Sequence, residues 1–169
     1  FAGEMGVDAG LAEDIADWLA SAGIGTDAAQ ANLLRSSIML AVASRTVEPN
    51  LRAPAILNWT LHKRWVGIDG PQRAMMAACV MADSNRALPQ EVAALALPRQ
   101  IEEAVIWGLA IRFCRRLTSL APTLIASCPL VRDGTRLVLN LRGDSAALAV
   151  DAIEKEFTLL AGYLALEPV

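Results

Sequence analysis

The sequence predicts a mainly α protein, a helical bundle followed by a β-hairpin and a C-terminal helix. Three observations carry that prediction. Apolar residues recur at helical spacing along most of the chain, as in Leu11, Ile15, Trp18 and Leu19. Prolines fall between such stripes or at their starts, where a missing N–H costs a helix least. Asp133-Gly134 joins two runs of β-favouring residues, and both positions tolerate the positive φ of a tight hairpin turn.

Taken in order, Asp8 is placed to cap a first helix to about residue 22, with Gly23 after its end. Thr26 can cap a second to about residue 45, with Leu33, Leu34, Ser37, Ile38 and Ala41 facing inward. Pro49 and Pro54 bracket a break, and Pro54 suits the first position of a third helix ending near Trp65. Residues 67–71 read as a turn, from which Pro71 starts a fourth helix to about Asn85. Pro89 and Pro98 divide a short helix from a long one over about 99–120. Residues 123–132 and 135–142 read as the two strands of the hairpin. Asp144 or Ser145 then caps a last helix to about Leu166, with Leu148, Ile153, Phe157, Leu160 and Leu164 on its apolar side. This divides the chain into a bundle, 1–120, and a hairpin with its closing helix, 121–169, packed on it.

The chain has 169 residues, enough for one domain with a proper core. It is 54% hydrophobic, and 31 of its residues are Ala, so it is too apolar for a disordered chain. Cys79, Cys114 and Cys128 are an odd number of thiols in unrelated settings and make no disulfide scaffold. A net charge of -3 gives no general attraction to nucleic acid. The longest uncharged run, 117–131, has 15 residues and is interrupted by Pro122 and Pro129. A membrane-spanning helix needs roughly 20 apolar residues. Glu4, Asp8, Glu13, Asp14 and Asp17 stand where a signal peptide would be basic and then apolar, so a cytoplasmic location is expected. The chain opens on Phe1 and not on Met, which suggests a piece of a longer protein.

Catalytic motifs are scarce. The one histidine, His62, cannot build a His-rich metal centre, and no Cys-x-x-Cys pair occurs. Gly3, Gly6 and Gly10 lack the spacing and the Lys-Ser/Thr ending of a phosphate loop. No nucleophile elbow places a serine. The carboxylate pairs Glu102-Glu103 and Glu154-Glu156 are expected on solvated helix faces. The isolated chain does not read as an enzyme and offers no cofactor site.

Leu-Asn-Trp-Thr-Leu-His-Lys-Arg-Trp-Val-Gly-Ile-Asp-Gly-Pro, residues 57–71, followed by Gln72-Arg73-Ala74, resembles a known family segment. It is similar to the C-terminal region of the exopolyphosphatase/guanosine pentaphosphate phosphohydrolase (Ppx/GppA) family. Residues 33–44 resemble the helix that carries the His-Asp dipeptide in HD domains. Gly108-Leu109-Ala110-Ile111-Arg112 and residues 133–164 resemble the family's later helix and its terminal hairpin and helix. The order of these segments, more than any one motif, carries the resemblance, which covers about 11–166.

The resemblance implies an HD-like bundle, degenerate as a hydrolase. Where the metal dipeptide would fall, this chain has Ala41-Val42-Ala43-Ser44, which offers no set of hard ligands. It also implies that catalysis, and a Mg dependence, belong to an N-terminal actin-like domain of the parent protein. The chain would then be an accessory domain that extends the binding of polyphosphate or pppGpp and supports a homodimer, with no nucleic acid or membrane partner.

Candidate phosphate-binding residues follow from charge. The chain has 13 Arg and 2 Lys, and the guanidinium fork suits phosphate oxygens. His62, Lys63, Arg64 and Arg73 flank the turn at 67–71, while Arg112, Arg115 and Arg116 cluster on the long helix. The alternative for all of these is a solvated arginine-rich surface, and for His62 a packing or capping role. Trp18 and Trp107 belong to apolar stripes, and Met75, Met76 and Met81 suit core filling. Two further readings stay open: a stand-alone, metal-free HD-related regulatory module that binds a protein or signalling nucleotide, and an apolar-ligand carrier.

Overall fold

The computed structural model describes residues 1–141, 147, 148 and 150–169, and these form a mainly helical protein with a small three-stranded sheet. The chain runs α1 (Ala9–Ser21), α2 (Ala31–Ser44), α3 (Arg52–Leu57), α4 (Gly70–Asp83), α5 (Gln90–Ala93), α6 (Pro98–Thr118) and α7 (Pro122–Ser127). After these come β1 (Leu130–Asp133), β2 (Arg136–Leu139), α8 (Asp151–Tyr163) and β3 (Glu167–Pro168).

Local chemistry explains most boundaries. The Asp8 carboxylate accepts the Gly10 N–H at 2.9 Å and caps α1 as expected. Asp69 and Gln72 form a reciprocal capping box at α4, with Pro71 inside its first turn. Asp27, and not Thr26, does the capping before α2: its side chain accepts the Ala29 N–H and starts a 3-10 turn, Ala28–Gln30, that leads into the helix. Pro54 sits third in α3 and not first, still within the turn whose N–H groups lack partners. The third helix does not continue to Trp65. It widens into a π turn, Asn58–His62, and stops at an extended Lys63.

The run at 123–132 is only partly strand. Pro122 takes the opening position of a helical turn, α7, and strand geometry begins at Leu130. β1 and β2 then pair antiparallel across a two-residue turn, Gly134-Thr135, with Gly134 at φ 57°; Asp133, expected in the turn, instead ends β1 and pairs with Arg136. β3 adds to β2 in parallel, which the sequence did not signal because it is only two residues long. The last helix starts at Asp151 after an extended Val150 and ends at Tyr163, short of Leu166. The caps expected from Asp144 or Ser145 lie outside the described residues.

A single large apolar cluster joins α1, α2, α4, α6, β1, β2 and α8. Trp18, Trp107, Met75 and Met76 are buried in it, as their stripes predicted. At its centre α4 and α6 approach closely. Gly108 makes that possible, since a Cβ there would land on the Cys79 carbonyl oxygen and against the Ala82 methyl. Phe113 bridges the two halves of the cluster, stacked on Phe157 of α8 with ring centroids 5.6 Å apart and tilted against Trp18 of α1 at 5.9 Å.

Candidate functional site

The charged candidates divide into two groups at opposite ends of α4. Arg73 lies in its first turn and Asp83 at its last residue. Ten residues of helix rise about 15 Å, so the groups do not share one patch.

The first group surrounds the turn before α4. His62, Lys63 and Arg64 are exposed. The Lys63 ammonium lies 3.7 Å from the centroid of the Phe1 ring, which meets Trp59 edge-on at 5.2 Å. Arg73 has a structural task. Its Nη1 donates to the carbonyls of Leu61 at 2.9 Å and Lys63 at 2.8 Å, closing the chain end left by the π turn. Trp65 is held similarly, its indole N–H donating to the Trp59 carbonyl at 2.9 Å. Arg64 makes no side-chain hydrogen bond or ion pair to the described residues.

The second group lies where the C-terminal ends of α2, α4 and α6 meet. Arg112 is 4% exposed; its Nε donates to Glu156 Oε2 at 2.9 Å and its Nη1 to Asn85 Oδ1 at 2.9 Å. Arg116 takes the other Glu156 oxygen at 2.8 Å. Glu156 is therefore not on a solvated face, because α8 turns that carboxylate toward α6. Arg115 donates through Nε and Nη2 to Asp83 Oδ1, both at 3.2 Å. Asp83 is 1% exposed, and burial raises its carboxyl above the ordinary range against the pull of Arg115, Arg45 and Arg112.

Three arginines that motif reading missed, Arg45, Arg52 and Arg86, complete this cluster. Arg52 donates from Nε to the Ser44 carbonyl and from Nη2 to the Val47 carbonyl, each at 2.9 Å. It thus clamps the chain on either side of exposed Arg45. Arg86 reaches the Pro49 carbonyl of the same loop at 3.3 Å. Desolvation, then Arg115 and Arg52, lower the Arg45 pKa, so these guanidiniums share one electrostatic neighbourhood. For Arg45, the C-cap of α2, the available signal was positional, since a basic residue there faces the negative end of the helix dipole; Arg52, the first residue of α3, carried no such signal.

No family model matches the chain, and no curated protein matches it.

The segment 41–44 packs at the α2 end of this cluster. Ala41, Ala43 and Ser44 are buried, and the Ser44 hydroxyl donates to the Ala41 carbonyl at 2.7 Å. That hydroxyl is satisfied within its own helix, and its neighbours are methyl groups, so the segment does not fit a divalent cation. Among the clefts over the described residues, two bear on the anion and apolar-carrier readings. One of about 550 Å³ between α1 and α7 is lined by Trp18, Ile125, Asp14 and Asp17, a poor setting for an anion. The other, about 380 Å³ between α4, α6 and α8, joins Leu88, Val105, Leu109 and Leu159 to Arg86 and Arg112. Its arginines distinguish it from the wholly apolar cavity that a carrier of apolar ligands would need.

Proposed function

We propose that this chain is the non-catalytic C-terminal accessory domain of a Ppx/GppA-type phosphatase. It would act in the cytoplasm beside an actin-like catalytic domain of the same protein, extend that domain's hold on polyphosphate or pppGpp, and support a homodimer. The parent enzyme would cleave terminal phosphoanhydride bonds with its own catalytic residues and metal.

One observation carries the reading. The helix that resembles the metal-bearing helix of HD domains has a mostly buried, self-satisfied end at residues 41–44, and beside it the positive charge comes from arginine. Fixed guanidiniums can hold phosphate without a metal, but they supply neither a nucleophile nor an activated water. Binding without hydrolysis is the chemistry this arrangement supports. The order of elements, helices first and then hairpin and closing helix, agrees with the order of the resembling segments.

Two results test it. The coding sequence around this segment should encode an actin-like phosphatase domain, and the 169-residue chain should release no phosphate from polyphosphate. Turnover by the chain itself would overturn the proposal, as would a coding sequence with no phosphatase domain.

A further inference from the structure

The cleft between α1 and α7, about 550 Å³, is of a size that holds a small molecule. One wall is a face of α1. Asp14, Asp17, Trp18 and Ser21 recur three or four residues apart, so they stand on the same side of that helix. Pro122, Ile125 and Pro129 make an apolar wall opposite. Trp18 is fixed, because its indole N–H donates to the Cys128 carbonyl at 2.7 Å and its ring lies against Phe113. The Ser21 hydroxyl is committed too, shared between the carbonyls of Trp18 at 2.7 Å and Leu130 at 2.6 Å. The carboxylate pair is what stays uncommitted.

Asp14 and Asp17 are exposed and have no hydrogen bond or ion pair among the described residues. The other carboxylates of this stretch are occupied: Glu13 holds Arg35 at 2.8 Å, and Asp8 caps the helix. No basic residue lines the cleft, and α1 has none in its last turn, where the negative end of the helix dipole lies. α7 opens on Pro122, which has no N–H to offer an anion. The two carboxylates, one helical turn apart, therefore repel each other without compensation. The field in the cleft is negative and its walls are apolar. An occupant that suits both carries positive charge at one end and apolar surface at the other.

We infer that this cleft binds a small organic cation, a protonated amine on an apolar body. Asp14 and Asp17 take the ammonium, and Trp18, Pro122, Ile125 and Pro129 cover the rest. A protein partner fits less well. A stable interface covers about 800 Å² on each side. Yet none of the large apolar residues left exposed among the described residues, such as Val66, Leu97 and Tyr163, lies on α1 or α7. The inference is independent of the phosphatase reading, since it uses neither the arginine cluster nor the segment 41–44.

The test is titration of the 169-residue chain with phenethylamine, a cation at neutral pH, and with phenethyl alcohol, its uncharged counterpart of nearly equal size. Binding is read from the NMR cross-peak of the Trp18 indole N–H. Phenethylamine should bind with a Kd below about 10 mM, and about tenfold tighter than the alcohol, the scale of one charged contact. Raising salt from about 0.05 M to about 0.5 M should weaken the amine alone. Asp14→Asn/Asp17→Asn should bring the amine down to the level of the alcohol. Both side chains are exposed and the exchange relieves a repulsion, so this variant should melt no lower than the parent chain. If it unfolds, the amine, the alcohol and the salt series decide. Asp151→Asn/Glu154→Gln makes the same change of charge on α8 and should bind as the parent does. The site is overturned if the amine binds more weakly than about 10 mM or no better than the alcohol. It is also overturned if the folded Asp14/Asp17 variant binds unchanged, or if the α8 variant loses as much.

Discussion

Arg112, buried, and Glu156, half-buried, form an ion pair, with Nη2 of the guanidinium 2.8 Å from Oε2 of the carboxylate. The contact ties α6 to α8, and Arg116 adds a second anchor on the same carboxylate. Removing one member leaves the other charged and poorly hydrated, which costs about 3–5 kcal/mol, while replacing both with apolar residues of similar volume costs far less. Glu156→Ala is therefore expected to destabilise strongly, and Arg112→Met/Glu156→Leu much less. Urea unfolding of the two variants checks this; equal losses would mean that the pair is not what holds α8 to the bundle.

Gly108 sets the separation of α4 and α6. A methyl at this position meets the Cys79 carbonyl and Ala82, both parts of a packed helix that cannot swing aside. Gly108→Ala should cost about 1–3 kcal/mol, although alanine is the better helix former. For a chain of this size each kcal/mol lowers Tm by roughly 2–4 °C. A variant that melts at or above the parent temperature would show that the two helices separate freely.

The three cysteines are buried, and burial pushes the Cys114 thiol up to about 12 and the Cys79 thiol up as well. The native protein should give almost no reaction with a thiol reagent such as DTNB at about pH 8, and all three thiols should react once denatured. Rapid labelling of the native chain would place at least one of them at the surface.

Asp83 gives a pH signature. Its folded carboxyl holds its proton more tightly than in the unfolded chain, because burial outweighs the arginines around it. Stability should then fall as pH climbs from the ordinary carboxylate range through the raised folded value. Asp83→Asn removes this titration, so its stability should vary less over that interval. Urea unfolding at several pH values measures the slope, and an unchanged slope would mean that Arg115 keeps Asp83 ionised throughout.

The helices were legible because their signals are local. Asp8 caps α1 with its own side chain, and Asp69 and Gln72 cap α4 without help from any other element. Errors came where two local signals compete. At 123–132 the β-favouring residues suggested strand, but Pro122 and a free first turn favoured a helix. At 26–27 either Thr or Asp could cap, and Asp27 won. The candidate site was less legible. Arg112, Arg115 and Arg116 stood out as a run, whereas Arg45, Arg52 and Arg86 lie far away in sequence and carry no motif.

By itself the sequence determined the mainly α class, a hairpin turning at Gly134 one residue later than expected, and the residues of the core, since periodicity, caps and turns are written within a few residues of one another. Only the tertiary structure decided which charges meet. Glu156 belonged to a solvated face by periodicity, yet packing turns it onto Arg112 and Arg116. Arg73 looked available for phosphate, yet it closes the backbone at Leu61 and Lys63. The reason is physical: hydrophobic periodicity acts over one helical turn, whereas an ion pair depends on how separate helices come together in space.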